Sequence, residues 1–124
     1  MIKSILLVGA GSFVGGILRY LLSQIIHSEQ GAFPVATFLT NVLGSLLIGV
    51  LIGILSKFAP THAGLYLLLV TGFCGGFTTF STFSNEALFL IQNGNFMYFA
   101  MYVFGSLALG MFSVLVGYKV VALL

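Results

Sequence analysis

The residues best suited to chemistry in this chain lie between Thr71 and Glu86, in the run Thr-Gly-Phe-Cys-Gly-Gly-Phe-Thr-Thr-Phe-Ser-Thr-Phe-Ser-Asn-Glu. Phe73, Phe77, Phe80 and Phe83 recur every three or four positions, the spacing of one helix face. Alone, such a stripe is a packing face. Here Phe80 and Phe83 alternate with Ser81, Thr82 and Ser84. An aromatic ring is negative on its face and positive at its edge. Ring edges beside hydroxyl and amide donors make a surface suited to an anion, with no titratable cation needed. The same run carries Gly72, Gly75 and Gly76 next to β-branched Thr78 and Thr79, which is poor helix material.

Two charges stand inside otherwise apolar stretches, Arg19 and Glu86. A charge at mid-bilayer costs ~2.5–3.5 kcal/mol on insertion scales, so each is a functional suspect by default. Both count out towards the same end of their stretches, where snorkelling or mutual pairing competes with a role in a water-filled vestibule. Glu86 lies too near the end of its stretch to carry protons across. His27 and His62 fall in polar connectors and read as solvated. Cys74 reads as a small buried apolar residue. As the one cysteine it excludes an internal disulfide and a multi-cysteine metal site. No nucleophile–base pair or metal cluster is visible, which argues against an enzyme.

The elements that position these groups follow from composition. Of 124 residues, 60% are apolar and 5% charged, with four basic and two acidic side chains. Soluble domains carry ~25% charged residues. Cytosolic enzymes, nucleic-acid binders and disordered tails are therefore excluded, and the chain is an integral membrane protein. Four apolar stretches, about 4–26, 34–57, 64–92 and 96–122, each reach the ~20 residues that cross a ~30 Å hydrocarbon core. Together they form a single transmembrane domain over 1–124. No alternating pattern suggests a β-barrel, and nothing soluble follows the first stretch to make it a signal peptide. The fold class is all-α with four transmembrane helices. Four crossings leave both termini on one side with Lys3, Lys57 and Lys119, against Arg19 on the other, a lean towards cytoplasmic termini resting on very few charges.

Each stretch also bears a small or polar stripe. These are Gly11, Ser12, Gly15, Arg19 and Ser23; Thr37, Thr40, Asn41, Gly44 and Ser45; Thr78, Ser81, Thr82, Asn85 and Glu86; and Tyr98, Tyr102, Ser106, Ser113 and Gly117. Helix packing explains any one of them, as it does the G-x-x-x-G pairs Gly11–Gly15, Gly49–Gly53 and Gly72–Gly76. Four together favour a hydrated or ion-conducting path. The third stretch is longer than one straight crossing needs. A break near Gly75–Thr79 explains both that length and the poor helix formers. Broken backbone at membrane depth persists only where protein or water satisfies it, and its freed carbonyls are ion ligands in many transporters. A carbonyl-lined cation site is one outcome; a tilted, Gly-kinked helix without an ion is the other.

The run Gly72-Phe73-Cys74-Gly75-Gly76-Phe77-Thr78-Thr79-Phe80-Ser81-Thr82-Phe83 strongly resembles the signature of the Fluc (CrcB) fluoride channels. Gly15-Gly16-Ile17-Leu18-Arg19-Tyr20 in the first stretch and Thr40-Asn41-Val42-Leu43-Gly44-Ser45 in the second support the match, as do size and the place of each motif. The resemblance implies an antiparallel, dual-topology homodimer in the cell membrane, with two fluoride pores and a central sodium ion as cofactor. It implies Phe80 and Phe83 as pore phenylalanines and Asn41 as a pore-lining amide. Ser81, Thr82, Tyr102 and Ser106 would be hydroxyls along the pathway. The backbone carbonyls of Gly75 and Thr78 would be sodium ligands, Glu86 would lie at a pore mouth and Arg19 in a vestibule.

That reading fits the ion. Fluoride is small, hard and strongly hydrated, so a selective pore must replace water with close donors such as Asn41, Ser81 and Thr82. A fixed cation ring would bind too tightly, since conduction needs weak, multi-site binding. A buried sodium would act at a distance instead. Two other functions stay open: a small four-helix proton-coupled exporter, which needs an acidic group in mid-first-span that this chain lacks, and a non-transporting membrane subunit.

Overall fold

With apolar side chains all round each long run, a helix is the structure that satisfies its backbone internally in lipid. The computed structural model, which describes residues 1–124, is accordingly all-helical. Helix α1 is Ile2–Ile25 and α2 is Val35–Phe58; α3 covers residues 63–77, α4 is Ser81–Gln92 and α5 is Phe96–Ala122. α3 and α4 form one interrupted crossing, Ala63–Gln92. The four crossings have mean hydropathies of 1.8, 2.3, 1.5 and 2.0 in chain order, each long enough to span. At ~1.5 Å rise per residue, α1 and α2, each of 24 residues, are ~36 Å long.

Two left-handed glycines turn the chain at one end, Gly31 (φ 84°) between α1 and α2 and Gly94 (φ 73°) between α4 and α5. Asn95 Nδ2 donates to the Gly31 carbonyl at 2.7 Å and ties these two connectors together.

The third crossing breaks inside the expected stretch, Gly75–Thr79, though not at its glycines. Gly72, Gly75 and Gly76, read as helix-breaking, remain helical, and Tyr66–Cys74 is wound as a π-helix. The interruption falls just beyond them, where Thr78 turns extended (φ −83°, ψ 157°). The glycines are retained for a different physical reason, close approach to α1. A Cβ on Gly72 would press on the Val8 carbonyl, and one on Gly76 on the backbone of Ser12. From the other side, Gly11 and Gly15 face the backbone of residues 68–77. α2 and α5 repeat the device, with Gly49 against Val114 and Gly117 against Leu46. α1 thus lies on α3, and α2 on α5.

The best-buried cluster sits beneath α4: Ala87, Leu90 and Tyr102, flanked by Phe33, Phe38, Phe83, Phe99 and Val103. Elsewhere large apolar groups point outwards, Phe13, Phe104 and Met111 among them. This is the surface expected where lipid or another hydrophobic partner replaces water.

Candidate ion pathway

Ending α3 at Phe77 and restarting at Ser81 stops the backbone ladder in the middle of a crossing. Thr78 still closes back on Cys74, its N–H donating to that carbonyl at 2.9 Å and its Oγ1 at 2.8 Å. Beyond it, neighbouring helices supply the partners. Thr79 N–H donates to Asn41 Oδ1 at 2.8 Å, and Asn41 Nδ2 donates to the Thr79 carbonyl at 3.0 Å. The Asn41 amide thus mimics a strand-like peptide pair. Arg19 Nε donates to the Gly76 carbonyl at 3.2 Å. Thr79 Oγ1 donates to Thr82 Oγ1 at 3.1 Å and accepts the Thr82 N–H at 3.4 Å, a side-chain substitute for the first turn of α4.

Three carbonyls at the interruption, those of Gly75, Phe77 and Thr78, receive no hydrogen bond. Gly75 is exposed, with open space where a Cβ would be. Unpaired carbonyl oxygens are the donor type that hard cations take, and those of Gly75 and Thr78 are among the three free here. One chain offers few such oxygens, and the side of Gly75 where a Cβ would stand is open.

Two cavities flank the interruption. The larger, about 590 Å³, is bounded by Arg19, Thr82, Asn85 and Glu86 and roofed by the α1–α2 connector. The smaller, about 380 Å³, is bounded by Asn41, Ser45, Thr78, Phe80, Phe83 and Ser106. Thr79 borders both, so the pair Asn41–Thr79 stands at the partition between them.

Within the larger cavity Glu86 is held rather than free. Its Oε1 accepts from Thr37 Oγ1 at 2.9 Å and its Oε2 from the Tyr102 hydroxyl at 2.6 Å. Arg19 and Glu86 share the cavity, but these hydrogen bonds take them to different partners. In the smaller cavity Phe80 is 78% exposed. It lies 5.9 Å from Phe83, whose ring is in turn 4.9 Å from Tyr102. Ser106 Oγ is buried without a partner, a donor still available.

The sequence-predicted residues therefore divide. Asn41, Phe80, Phe83, Ser106 and Thr78 gather on one cavity, and Arg19, Glu86 and Thr82 on the other. Ser81 is exposed at the first turn of α4. Tyr102 lies fully buried beneath Glu86, lining neither cavity. His27 and His62 are exposed, and Cys74 is buried. Three contributors had no role in the sequence reading: Thr37, Thr79 and the Gly76 carbonyl. Thr37 was visible in the polar stripe of the second stretch; its partner on another helix was not.

Comparison with known proteins agrees with this architecture. The family model described as CrcB-like protein, Camphor Resistance (CrcB), matches residues 6–118. The fluoride-specific ion channel FluC of Phocaeicola vulgatus is 45% identical over 117 residues, 93% of this chain and 95% of the relative. Those of Prosthecochloris aestuarii and Chlorobaculum tepidum are each 45% identical over 111 residues. These alignments cover 88% and 90% of this chain, and 85% and 88% of the respective relatives. With a matching family model over nearly its whole length and four spanning helices, this chain is a multi-pass membrane protein belonging to the CrcB family.

Proposed function

We propose that the protein is a fluoride-selective anion channel of the cell membrane, not an enzyme, through which cytoplasmic fluoride leaves passively. The observation that carries this is the relatedness, over about nine-tenths of the chain, to proteins named fluoride-specific ion channels. Hydrofluoric acid is weak, so it enters cells neutral and dissociates inside; an exit for the anion then lowers its toxicity.

The geometry supplies the parts such a path needs. An anion entering the larger cavity meets the guanidinium of Arg19. Past the Asn41–Thr79 partition it meets the exposed edge of Phe80, the ring of Phe83 and the unpaired Ser106 hydroxyl. Each is a weak partner, and a series of weak partners permits passage where one strong site would trap the ion.

The working unit is an antiparallel, dual-topology homodimer. A lone protomer leaves Phe80 and Gly75 exposed at the depth of the interruption, and a second copy would cover both. Sodium, ligated by the Gly75 and Thr78 carbonyls of both copies, would supply a fixed positive potential near the path. Arg19 and Asn41 hold the surrounding backbone in place, and the Thr82 hydroxyl is tied to that of Thr79.

Purified protein in liposomes, loaded with fluoride or with chloride, tests the assignment. Rapid fluoride efflux with chloride retained is expected. Equal release of both ions, or of neither, overturns it. Proton-driven export would require efflux to follow a pH gradient, which this reading does not predict.

A further inference from the structure

Arg19 was expected in a vestibule, where its charge would attract anions. Its hydrogen bond gives it a second task. Of its donors, Nε is engaged by the Gly76 carbonyl at 3.2 Å. Gly76 is the next residue after Gly75, whose own carbonyl is unpaired. In an uninterrupted helix the Gly76 carbonyl would be taken by Phe80 N–H, and that bond is absent because the helix stops at Phe77. Without Arg19 this carbonyl too would be unpaired in a low-dielectric setting, at a cost of roughly 1–3 kcal/mol, and free to swing.

We propose that Arg19 is a positioning residue. Through Nε it fixes the Gly76 carbonyl towards α1 and thereby sorts the freed oxygens of the interruption, so that only those of Gly75, Phe77 and Thr78 remain for a cation. Asn41 does the same for Thr79 from α2. Side chains from two helices thus take the oxygens that are not to be ligands, and the guanidinium keeps its remaining N–H groups for the cavity. The effect on the cation site rests on the channel reading above; the effect on the backbone does not.

The chemistry of substitution separates this role from a charge role. Gln places its Nε2 the same number of bonds from Cα as the arginine Nε, so Arg19→Gln keeps the donor and removes the charge. Arg19→Lys keeps the charge, puts a methylene where the donor was and carries its ammonium one bond further. The protein in lipid nanodiscs would be followed by amide hydrogen exchange over residues 75–84, and in liposomes by fluoride efflux as a function of sodium concentration.

Arg19→Lys is expected to speed exchange over that segment and to raise the sodium needed for half-maximal efflux by about tenfold, the worth of one charge-assisted hydrogen bond. Arg19→Gln is expected to keep the exchange pattern and the sodium midpoint near wild type while lowering maximal efflux, because it removes the charge an entering anion meets. Where Arg19→Lys does not fold, Arg19→Met, uncharged like Gln but without a donor, is expected to show the same two defects. The reverse order in exchange and sodium midpoint, with Lys intact and Gln impaired, assigns Arg19 to its charge and overturns the proposal. So does wild-type behaviour of Lys or Met in those two readouts, or equal failure of Gln in them. If the wild type shows no sodium dependence, the cation reading falls, and exchange over residues 75–84 alone decides the role of Arg19.

Discussion

Glu86, the single carboxylate inside a crossing, accepts hydroxyl hydrogen bonds on both oxygens, and neither partner touches the interruption. Two consequences follow at this scale. Tyr102→Phe removes a charge-assisted bond from a fully buried hydroxyl, and thermal unfolding in detergent should register a loss of ~1–3 kcal/mol. Glu86→Gln, by contrast, leaves the carbonyls of Gly75 and Thr78 untouched, so sodium dependence of efflux should survive it; its loss would place Glu86 in the cation site. The two phenylalanines part company in the same way. Phe80 is mostly exposed, whereas Phe83 packs on Tyr102. Phe80→Leu should therefore leave protomer stability unchanged, and Phe83→Leu should lower it by ~1 kcal/mol. Both should cut fluoride flux at least tenfold, about 1.4 kcal/mol on the barrier, if ring edges meet the ion. Full-speed efflux through both variants in monodisperse protein returns them to packing. Glu86 and Ser106 stood out in the sequence because few polar or charged groups stand in such apolar stretches, and Phe80 and Phe83 because of their spacing among hydroxyl residues and the resemblance to a known signature. Their partners did not, because helix rotation decides whether Thr37 meets Glu86 or lipid.

At the scale of elements, four long apolar stretches were enough to place the helices, and glycines at four-residue spacing marked faces for close packing, but which helix each face meets came only with the structure. The interruption was legible too: poor helix formers place a break near Gly75–Thr79, and the chain leaves helical geometry at Thr78, inside that stretch, while the glycines before it stay helical. Composition reports how readily a helix forms alone. Here contact with α1 keeps the glycines helical, and Asn41 and Arg19 stabilise the break beyond them. The π-wound segment Tyr66–Cys74 left no sequence signal, since its apolar residues suit either winding. Gly15→Ala tests the glycine contact. Its methyl group would meet the Phe73 carbonyl and Phe77 N–H, backbone atoms that can yield only if α1 and α3 separate. A loss of ~1–3 kcal/mol is expected from such overpacking. Gly9→Ala, with open space beside it, serves as the control and should be near neutral. Equal stability of the two variants would mean that α1 and α3 do not approach as closely as described.

For the whole molecule, the expected homodimer is checked by cross-linking in native membranes, where dimers should predominate; monomer alone would leave the path without its second wall. Reporters fused to the C-terminus should be found on both sides of the membrane. Exchanging Lys57 and Lys119 for Gln removes two of the three lysines at one end, and should move the population further towards termini outside. The way the interruption is paired also bears on biosynthesis. Arg19 and Asn41, the residues that receive its freed groups, precede it in the chain, so both are already made when residues 75–79 leave the ribosome. The third crossing can therefore break its helix against partners that are waiting in the bilayer. A rearranged chain that made residues 63–92 first would face lipid with those groups unpaired, at several kcal/mol for each. It would be held to an uninterrupted helix until α1 and α2 arrived, so the order in which the helices are synthesised is part of how this backbone reaches its shape.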